Sequence, residues 1–322
     1  MLKIESIQAF TSIAETGSIT GAARRLALSK SVISERLAEL ERILGARLVR
    51  RTTRALNLTD DGNAFFERAK GILRDVESAS SELAERRGTL AGTLRVSAPV
   101  SFGALHLGPA LYGFLARHPA IELSLELDDR FVDLVSEGYD VAVRHGPVND
   151  SRVIVKRLLT SRRLLVASAD YLKRAGKPAT LDDLACHRGI IYSNRGAADW
   201  RFRMGRKFVT VRPEAALRVN NGMLMRDAAI AGLGIALLPT FLLEMPIKSR
   251  SLKILDMGVE AEGAVLYIAY PEHLRSSAKI RAMTNWLQEA FQNPAYWDSG
   301  LPGPHRAVHS SHGRRTSVRD TS

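Results

Sequence analysis

The sequence predicts a helical N-terminal domain with a winged helix-turn-helix, then one long helix, then a C-terminal α/β region. Three observations predict this class. Apolar residues recur at helical spacing over residues 7–44, a heptad-like spacing follows over residues 65–83, and strands alternate with helices after residue 91. With 322 residues, of which 45% are hydrophobic and 25% charged, the chain has the composition of a globular protein with two or three domains.

Basic residues are concentrated near the N-terminus. The formal net charge is +12, and residues 1–57 carry ten basic and five acidic side chains. This excess favours an anionic partner, with nucleic acid as the first candidate. The single cysteine, Cys186, excludes an intramolecular disulfide framework and favours a reducing, cytoplasmic compartment. We find no signal peptide and no apolar run of membrane-spanning length, so no membrane partner is expected.

Capping signals divide the N-terminal segment into three helices. Gly17 is a stop signal after the first apolar helical stretch, Ser18 caps a short second helix, and Ser29 caps a third that ends at Gly45. The tight turn between the last two helices is typical of a helix-turn-helix.

The outer face of the third helix and the basic stretch after it carry the candidate DNA contacts. Recognition helices meet base edges near their N-termini, and arginines on a β-wing reach phosphates or a minor groove. The alternative is a small helical domain with a solvated basic loop. The candidate DNA-binding residues are Ser18, Ser29, Lys30, Ser31, Ser34, Glu35, Arg36, Arg50, Arg51, Thr52, Thr53 and Arg54.

A long helix is predicted to follow, starting at the capping sequence Thr59-Asp60-Asp61. Its apolar side forms a heptad seam. Packing against its own domain would need the same seam, but the small domain already has a core, so pairing with a second chain is favoured. Two paired helix-turn-helix units would read a two-fold related site. The seam consists of Phe65, Ala69, Ile72, Val76, Ala79 and Leu83.

From residue 91 onward, predicted strands and helices alternate, as in α/β proteins. Gly88 to Gly92 predicts a hinge, and the Pro-, Gly-, Ser- and His-rich residues 299–322 predict a disordered tail. Strands are predicted at 93–98, 121–127, 141–143, 164–167, 190–192, 207–211, 217–219, 235–238 and 265–270. Helices are predicted at 105–115, 132–136, from Met223 onward, and at 278–291.

The N-terminal residues resemble those of the LysR-type transcriptional regulators. The matching positions run from Phe10 to Leu26, Ser29 to Ser34, Leu40 to Gly45 and Arg50 to Gly62. Downstream, the segments GTLRVSAPVSFG, FVDLVSEGYDVAVRHG and VNNGMLMRDAAIAGLGIALLP resemble one branch of the family, and the likeness extends to about residue 298.

Two positions of the third helix depart from the family pattern. Glu35 stands where the family usually has a basic or amide residue, and Lys30 replaces a common glutamine. Glu35 suits acceptance of a hydrogen bond from a cytosine amino group better than a phosphate contact. We therefore expect a shifted base preference and an unchanged DNA-binding role.

The resemblance implies a domain plan and a set of partners. The α/β region would form two Rossmann-like subdomains of the periplasmic-binding-protein type. The implied partners are double-stranded promoter DNA, a small-molecule effector, a second copy of the chain (as a homodimer or a dimer of dimers) and RNA polymerase. The expected divisions are a DNA-binding domain at 1–59, a linker helix at 60–90, an effector domain at 91–298 and the tail at 299–322. Subdomain I would span about 91–160 and 267–298, and subdomain II about 161–266.

By the same resemblance, the effector lies in the cleft between the subdomains, where strand ends and helix starts converge. A helix start with free N–H groups suits a carboxylate. For Arg144 two interpretations stay open: a bidentate pair with an anion, or a salt bridge to Asp128, Asp129 or Asp133. Trp200 is a weaker candidate or simply a core residue. The candidate effector-binding residues are Ser97, Val100, Ser101, Phe102, Arg144, His145, Ser168, Asn221 and Gly222.

Motifs for catalysis are absent from the sequence. It contains no dinucleotide fingerprint, nucleophile elbow, zinc-protease motif or phosphate loop. Cys186 adjoins His187, but neighbours in sequence on a loop seldom form a working nucleophile and base. We therefore expect no catalytic residue, metal or cofactor. The alternative to a DNA-binding regulator is a solute-binding or sensor module that acts through protein contacts.

Overall fold

The computed structural model of the chain describes residues 1–51, 56–86, 89–146, 150–195, 200–205, 207–292 and 295–303. Its N-terminal domain has three helices and a two-stranded antiparallel ribbon, in which Val49 pairs with Leu58 and Arg51 with Leu56. This ribbon is the predicted wing. The elements are α1 (Ile4–Thr16), α2 (Ile19–Arg25), α3 (Lys30–Leu44), β1 (Val49–Arg51) and β2 (Leu56–Leu58).

The predicted caps define the ends of these helices. Gly17 ends α1 with a φ of 64°, and Gly45 ends α3 with a φ of 68°, a left-handed conformation that favours glycine. The Ser18 hydroxyl accepts a hydrogen bond from the Gly21 N–H at 2.9 Å, and the Ser29 hydroxyl accepts one from the Val32 N–H at 3.3 Å. Each serine satisfies one N–H that the helix itself leaves unpaired.

The long helix α4 (Asp60–Arg86) begins where predicted, and the Thr59 hydroxyl accepts from the Gly62 N–H at 2.9 Å. The prediction that its whole seam faces a second chain is wrong for the first turns. Phe65 lies 5.6 Å from Phe10, centroid to centroid, and Ala69 is fully buried in the core of the N-terminal domain. The seam continues outside that core, where Ile72 and Val76 are 41% and 40% exposed.

The remaining residues form an α/β region with two five-stranded sheets and one three-stranded sheet. In the first sheet, the order is β4-β3-β5-β15-β6; β3 is parallel to β4 and β5, whereas β15 is antiparallel to both its neighbours. Its strands are β3 (Gly92–Ala98), β4 (Ile121–Leu127), β5 (Val141–His145), β6 (Val153–Ser161) and β15 (Ala264–Pro271). Its helices are α5 (Val100–Phe102), α6 (Gly108–Arg117), α7 (Leu134–Glu137) and α11 (Ala278–Phe291).

The second five-stranded sheet has the order β11-β8-β12-β7-β13, and the three-stranded sheet has the order β10-β9-β14. The chain crosses from the first sheet to the second between β6 and β7, and it returns at β15. The strands are β7 (Arg163–Ala167), β8 (Arg188–Tyr192), β9 (Trp200–Met204), β10 (Lys207–Val211), β11 (Glu214–Val219), β12 (Ile235–Pro239), β13 (Lys253–Ile254) and β14 (Glu260–Ala261). The helices are α8 (Ala169–Ala175), α9 (Gly222–Ile230) and α10 (Glu244–Lys248).

Two predicted helices have different bounds in the structure. The helix predicted at 105–115 runs from α5 through a π-helical turn, Gly103–Leu107, into α6. Gly103, the first residue of the π-helical turn, packs closely on Leu127 of β4, because a Cβ at this position would lie 2.2 Å from the Leu127 Cδ2. The helix predicted at 132–136 starts later, since the Asp133 carboxylate caps it by accepting from the Val135 and Ser136 N–H groups.

The C-terminal residues fold back onto both halves of the α/β region. The helix predicted at 278–291 has those bounds, and Trp297 after it is fully buried against Phe102 and Phe241. The Pro302 carbonyl accepts a hydrogen bond from Arg162 at 2.8 Å, so ordered contacts extend past residue 299, where the predicted tail begins. Residues 304–322 lie outside the described residues. No helix in the described parts of the chain has the length and hydropathy to cross a membrane.

Candidate functional site

The N-terminal half of α3 presents short polar side chains to solvent. Ser29, Lys30, Ser31 and Glu35 are exposed, and the hydroxyls of Ser29 and Ser31 lie 2.8 Å apart. The first turn of α3 contains no acidic residue, so the partial positive charge of the helix N-terminus is not neutralised there. This surface suits an anionic partner.

The outer face of α3 and the ribbon share one open groove of about 620 Å³, which both Ser34 and Arg50 line. Two other predicted DNA contacts are less exposed. Arg36 is half-buried, and Ser18 is half-buried because it caps α2. Arg51 lies in β1, but its side chain is outside the described part of the structure, as are Thr52, Thr53 and Arg54. The described geometry thus brings part of the predicted set to one surface.

Glu41 fixes the ribbon to α3, and sequence reasoning missed it. Its side chain is 8% exposed, and its Oε1 accepts hydrogen bonds from the N–H groups of Leu48 at 2.8 Å and Val49 at 3.2 Å. Its Oε2 accepts from Arg47 at 3.2 Å. The sequence contained one sign of this role. Glu41 lies next to Leu40 on the buried side of α3, and a buried carboxylate needs hydrogen-bond donors.

A second site lies between the two five-stranded sheets, as a cavity of about 80 Å³ with mostly apolar walls. Four predicted effector residues line it: Ser101, Phe102, His145 and Gly222. The His145 ring stacks on Phe241, with centroids 5.5 Å apart. The other lining residues, absent from the prediction, are Pro99, Asp129, Arg163, Tyr192, Met225, Leu237, Pro239, Phe241 and Leu242.

Asp129 accepts hydrogen bonds from its own half of the α/β region and from across the cleft. Its Oδ1 accepts from the Val100 N–H at 3.0 Å, and its Oδ2 accepts from the Asn221 amide at 3.1 Å. Its main-chain carbonyl accepts from the Asn194 amide at 3.0 Å. The Ser101 hydroxyl also accepts from the N–H of residue 223 on α9 at 3.2 Å. The helix start at Val100, predicted to receive an effector carboxylate, therefore already holds an internal one.

Arg144 forms no salt bridge with Asp128, Asp129 or Asp133. It is 6% exposed, and its guanidinium donates to the Val143 carbonyl at 2.9 Å and to the Ser97 hydroxyl at 2.7 Å. Burial lowers the pKa of Arg144, while the charges of Asp128 and Asp129 act in the opposite direction. Ser97 and Arg144 thus form a buried pair beside the cavity, and neither lines it.

The remaining predicted effector residues have structural roles. The Ser168 hydroxyl caps α8 by accepting from the Tyr171 N–H at 3.3 Å, and it lies at the opposite end of β7 from the cavity residue Arg163. Asn221 caps α9, accepting from two N–H groups of its first turn. Trp200 is 1% exposed in the core of the second sheet.

Families of known proteins match both parts of the chain. The family described as bacterial regulatory helix-turn-helix protein, lysR family, matches residues 4–63, and the LysR substrate binding domain matches residues 87–292. The chain belongs to the LysR-type transcriptional regulators. Its helix-turn-helix is the DNA-binding domain of this family, and its α/β region is the substrate-binding domain.

Relatives and solved structures agree with this assignment. The LysR-type regulator described here is 32% identical to an uncharacterized HTH-type transcriptional regulator of Haemophilus influenzae, over 88% of this chain and 99% of the relative. It is 33% identical to the HTH-type transcriptional regulator PtxR of Pseudomonas aeruginosa, over 89% and 93% of the two chains. The solved structure of CrgA from Neisseria meningitidis has 28% sequence identity to this chain and a TM-score of 0.56, and the match covers 88% of this chain and 97% of CrgA.

The full-length structure of the virulence activator AphB of Vibrio cholerae is similar to this chain in fold. It is 24% identical with a TM-score of 0.59, over 88% of this chain and 98% of AphB. The predicted fold class is confirmed, and so is the prediction that this chain is a regulator and not an enzyme.

The LysR-type regulator also carries a buried aromatic cluster behind the cleft, around His106. The His106 Nδ1 lies 2.5 Å from the Tyr296 hydroxyl, and its Nε2 lies 3.0 Å from the Phe241 carbonyl. Burial lowers the pKa of His106, so the ring is neutral near pH 7, and it links the cavity residue Phe241 to the C-terminal segment. In the described ranges, no three acidic, histidine or cysteine side chains are grouped to hold a metal ion.

Proposed function

We propose that this regulator reads promoter DNA through the first half of α3 and the arginines of the ribbon. The observation that carries the proposal is that the start of α3 presents exposed polar side chains beside the exposed Arg50 of the ribbon, in a domain with twice as many basic as acidic side chains. Polar side chains on α3 would read base edges, and the ribbon would contact phosphates. The proposed contacts are Ser18, Ser29, Lys30, Ser31, Ser34, Glu35, Arg36, Arg50, Arg51, Thr52, Thr53 and Arg54.

The test measures DNA affinity against salt concentration for the DNA upstream of the regulator's own gene and for random DNA. Arg50→Ala should reduce the slope of log K against log salt by about 0.9, as expected for one lost phosphate contact. Ser34→Ala should change the preferred base without changing that slope. Arg117→Ala is the matched control, because this exposed arginine ends α6, far along the chain from the helix-turn-helix.

Two results would contradict the proposal. Equal affinity for upstream and random DNA would favour a sensor that acts through protein contacts. An unchanged slope in Arg50→Ala would remove the ribbon from the phosphate-binding surface.

We also propose that the cleft binds a small anionic effector, with a carboxylate as its charged group. Apolar residues, including Phe102 and Phe241, line the cavity together with the buried Arg163, whose Nε donates to the Glu262 carbonyl at 2.8 Å. A guanidinium pairs well with a carboxylate in such a site. Because Asp129 occupies the Val100 N–H, the effector's charge belongs at the Arg163 and His145 end of the cavity.

The proposed response is a shift between two arrangements of the α/β region. The cavity volume of about 80 Å³ is smaller than the roughly 300–1,000 Å³ of typical ligand pockets, so the cleft must open to admit an effector. An effector that binds one arrangement better favours it in proportion to the difference in affinity. A changed spacing of paired helix-turn-helix units would then alter the affinity of the regulator for bent DNA.

Thermal unfolding with a panel of aromatic and aliphatic carboxylates, each paired with its uncharged amide, tests the effector class. At least one carboxylate should raise the melting temperature of the intact protein more than its amide does. Met225→Phe should abolish this shift by filling the cavity, whereas Met245→Phe should keep it, because Met245 is 70% exposed. A larger shift with the amides would contradict the proposal.

The proposal includes partners beyond DNA and the effector. The exposed half of the α4 seam supports a homodimer or a dimer of dimers. Action at promoters places the regulator in the cytoplasm and makes RNA polymerase a further partner.

A further inference from the structure

A third cavity, of about 280 Å³, lies where the helix-turn-helix domain, α4 and the first sheet meet. Residues of α1 and α2 form one wall, α4 forms another, and Arg95 of β3 closes it. Four of its charged side chains are basic and two are acidic. The charged residues are Glu15, Arg25, Lys70, Arg74, Glu77 and Arg95.

Both acidic residues of this cavity already have partners, one of them within the cavity. Glu15 forms an ion pair with Arg25 within the N-terminal domain, and the Glu77 carboxylate accepts from the Thr93 N–H at 3.4 Å. Lys70 pairs with Glu67 at 2.8 Å.

Arg74 and Arg95 are left to face the cavity. Among the described residues, no carboxylate lies within ion-pair distance of either guanidinium. The nearby Asp140 carboxylate accepts from the main-chain N–H of Arg95 at 2.7 Å. Burial, and then the charge of Arg95, lower the pKa of Arg74, while the charges of Asp140, Asp75 and Glu67 act in the opposite direction.

Two donors beside this cavity are buried from solvent and lack a partner among the described atoms. The Ser12 side chain is 4% exposed, and its hydroxyl makes no hydrogen bond. The Nη1 of Arg74 is buried without an acceptor, packed where a Cβ of Gly138 would stand. Such groups are destabilising unless something accepts from them.

We propose that this cavity binds a phosphate-type oxyanion, either free or as the phosphate group of a small metabolite. Two guanidinium groups supply more donors than the two oxygens of a carboxylate can receive, and a tetrahedral oxyanion offers enough acceptors. The bound anion would contact α4 through Arg74 and β3 through Arg95. It would therefore stabilise one position of the DNA-binding domain relative to the effector domain.

Isothermal titration calorimetry of the full-length protein with inorganic phosphate, at constant ionic strength set with chloride, tests the site. Saturable binding with a Kd of about 1 mM or below is expected. Arg74→Gln and Arg95→Gln should each weaken it about tenfold or more, since each removes a charge-assisted pair. Lys173→Gln is the control, because this lysine side chain on α8 is 79% exposed. It should bind phosphate as the unmodified protein does.

A second titration, with glycerol phosphate, distinguishes the two sources of the anion. Tighter binding than inorganic phosphate would assign the site to a phosphorylated metabolite, and weaker binding would assign it to the free anion. Absence of saturable binding of both compounds overturns the proposal. So does binding that Arg74→Gln and Arg95→Gln leave unchanged while circular dichroism shows both variants folded.

Discussion

At the scale of single residues, Asp129 links the two sides of the cleft between the five-stranded sheets. Its carboxylate satisfies the Val100 N–H at the start of α5 and reaches across the cleft to the amide of Asn221. An effector carboxylate was predicted to supply the first of these interactions. The side chain thus holds the two sheets together from within the chain.

Asp129→Ala should lower the free energy of unfolding by about 1–2 kcal/mol, because hydrogen bonds to a charged group stabilise more than neutral ones and this carboxylate is partly solvated. Urea titration followed by circular dichroism measures the change. Asp182→Ala, at an exposed carboxylate, should stay within about 0.5 kcal/mol of the unmodified protein. Equal stability of the two variants would show that Asp129 does not hold the cleft closed.

At the scale of elements, α4 contains two glycines that differ in how much space surrounds them. A Cβ on Gly62 would lie 2.0 Å from the Leu48 carbonyl oxygen at the base of the ribbon, whereas a Cβ on Gly71 meets nothing closer than 3.7 Å. Gly62→Ala should therefore destabilise the DNA-binding domain by about 2–4 kcal/mol, a range typical of disruptive core substitutions. It should also weaken DNA binding, because the ribbon must move.

Gly71→Ala is the matched substitution in the same helix. It should stabilise the protein by about 0.5–1 kcal/mol, because alanine loses less conformational entropy than glycine in a helix. Thermal unfolding of both variants provides the comparison. Destabilisation of similar size in both would mean that the contact at Leu48 is not what requires glycine at position 62.

The seam of α4 also shows where sequence reasoning stops. Its periodicity correctly predicted a long helix with one apolar side, but periodicity does not identify what covers that side. Phe65 and Ala69 pack on their own domain, and Ile72 and Val76 are left exposed. Only the three-dimensional path of the chain separates these two uses of one pattern.

At the scale of the whole molecule, the exposed part of this seam predicts the assembly. Val76→Lys should weaken dimerisation about tenfold or more, because it places a charge within an apolar helix pair. Sedimentation velocity over a range of concentrations measures this. Val155→Lys, at a similarly exposed valine on β6, should leave the dimer intact. Equal sedimentation of the two variants would move the dimer interface away from α4.

Local interactions were predicted from the sequence, and distant ones were not. The caps at Ser18 and Ser29 involve N–H groups a few residues away, so residue type and position define them. The bond between Asp129 and Asn221 joins residues 92 positions apart, and its formation depends on how two sheets meet. Ser168 follows a strand and caps the next helix, which made it a candidate for the cleft. It lies at the end of β7 that is away from the cavity.

The closed cleft has a consequence for signalling. Opening the cleft breaks the hydrogen bond between Asp129 and Asn221. The free energy lost with this bond reduces the effector's apparent affinity unless the bound effector forms an equivalent bond. Each 1.4 kcal/mol of such closure raises the half-saturating concentration about tenfold. Through this bond Asp129 would help to set the effector concentration at which the promoter responds, and a substitution there would change the sensitivity of the response.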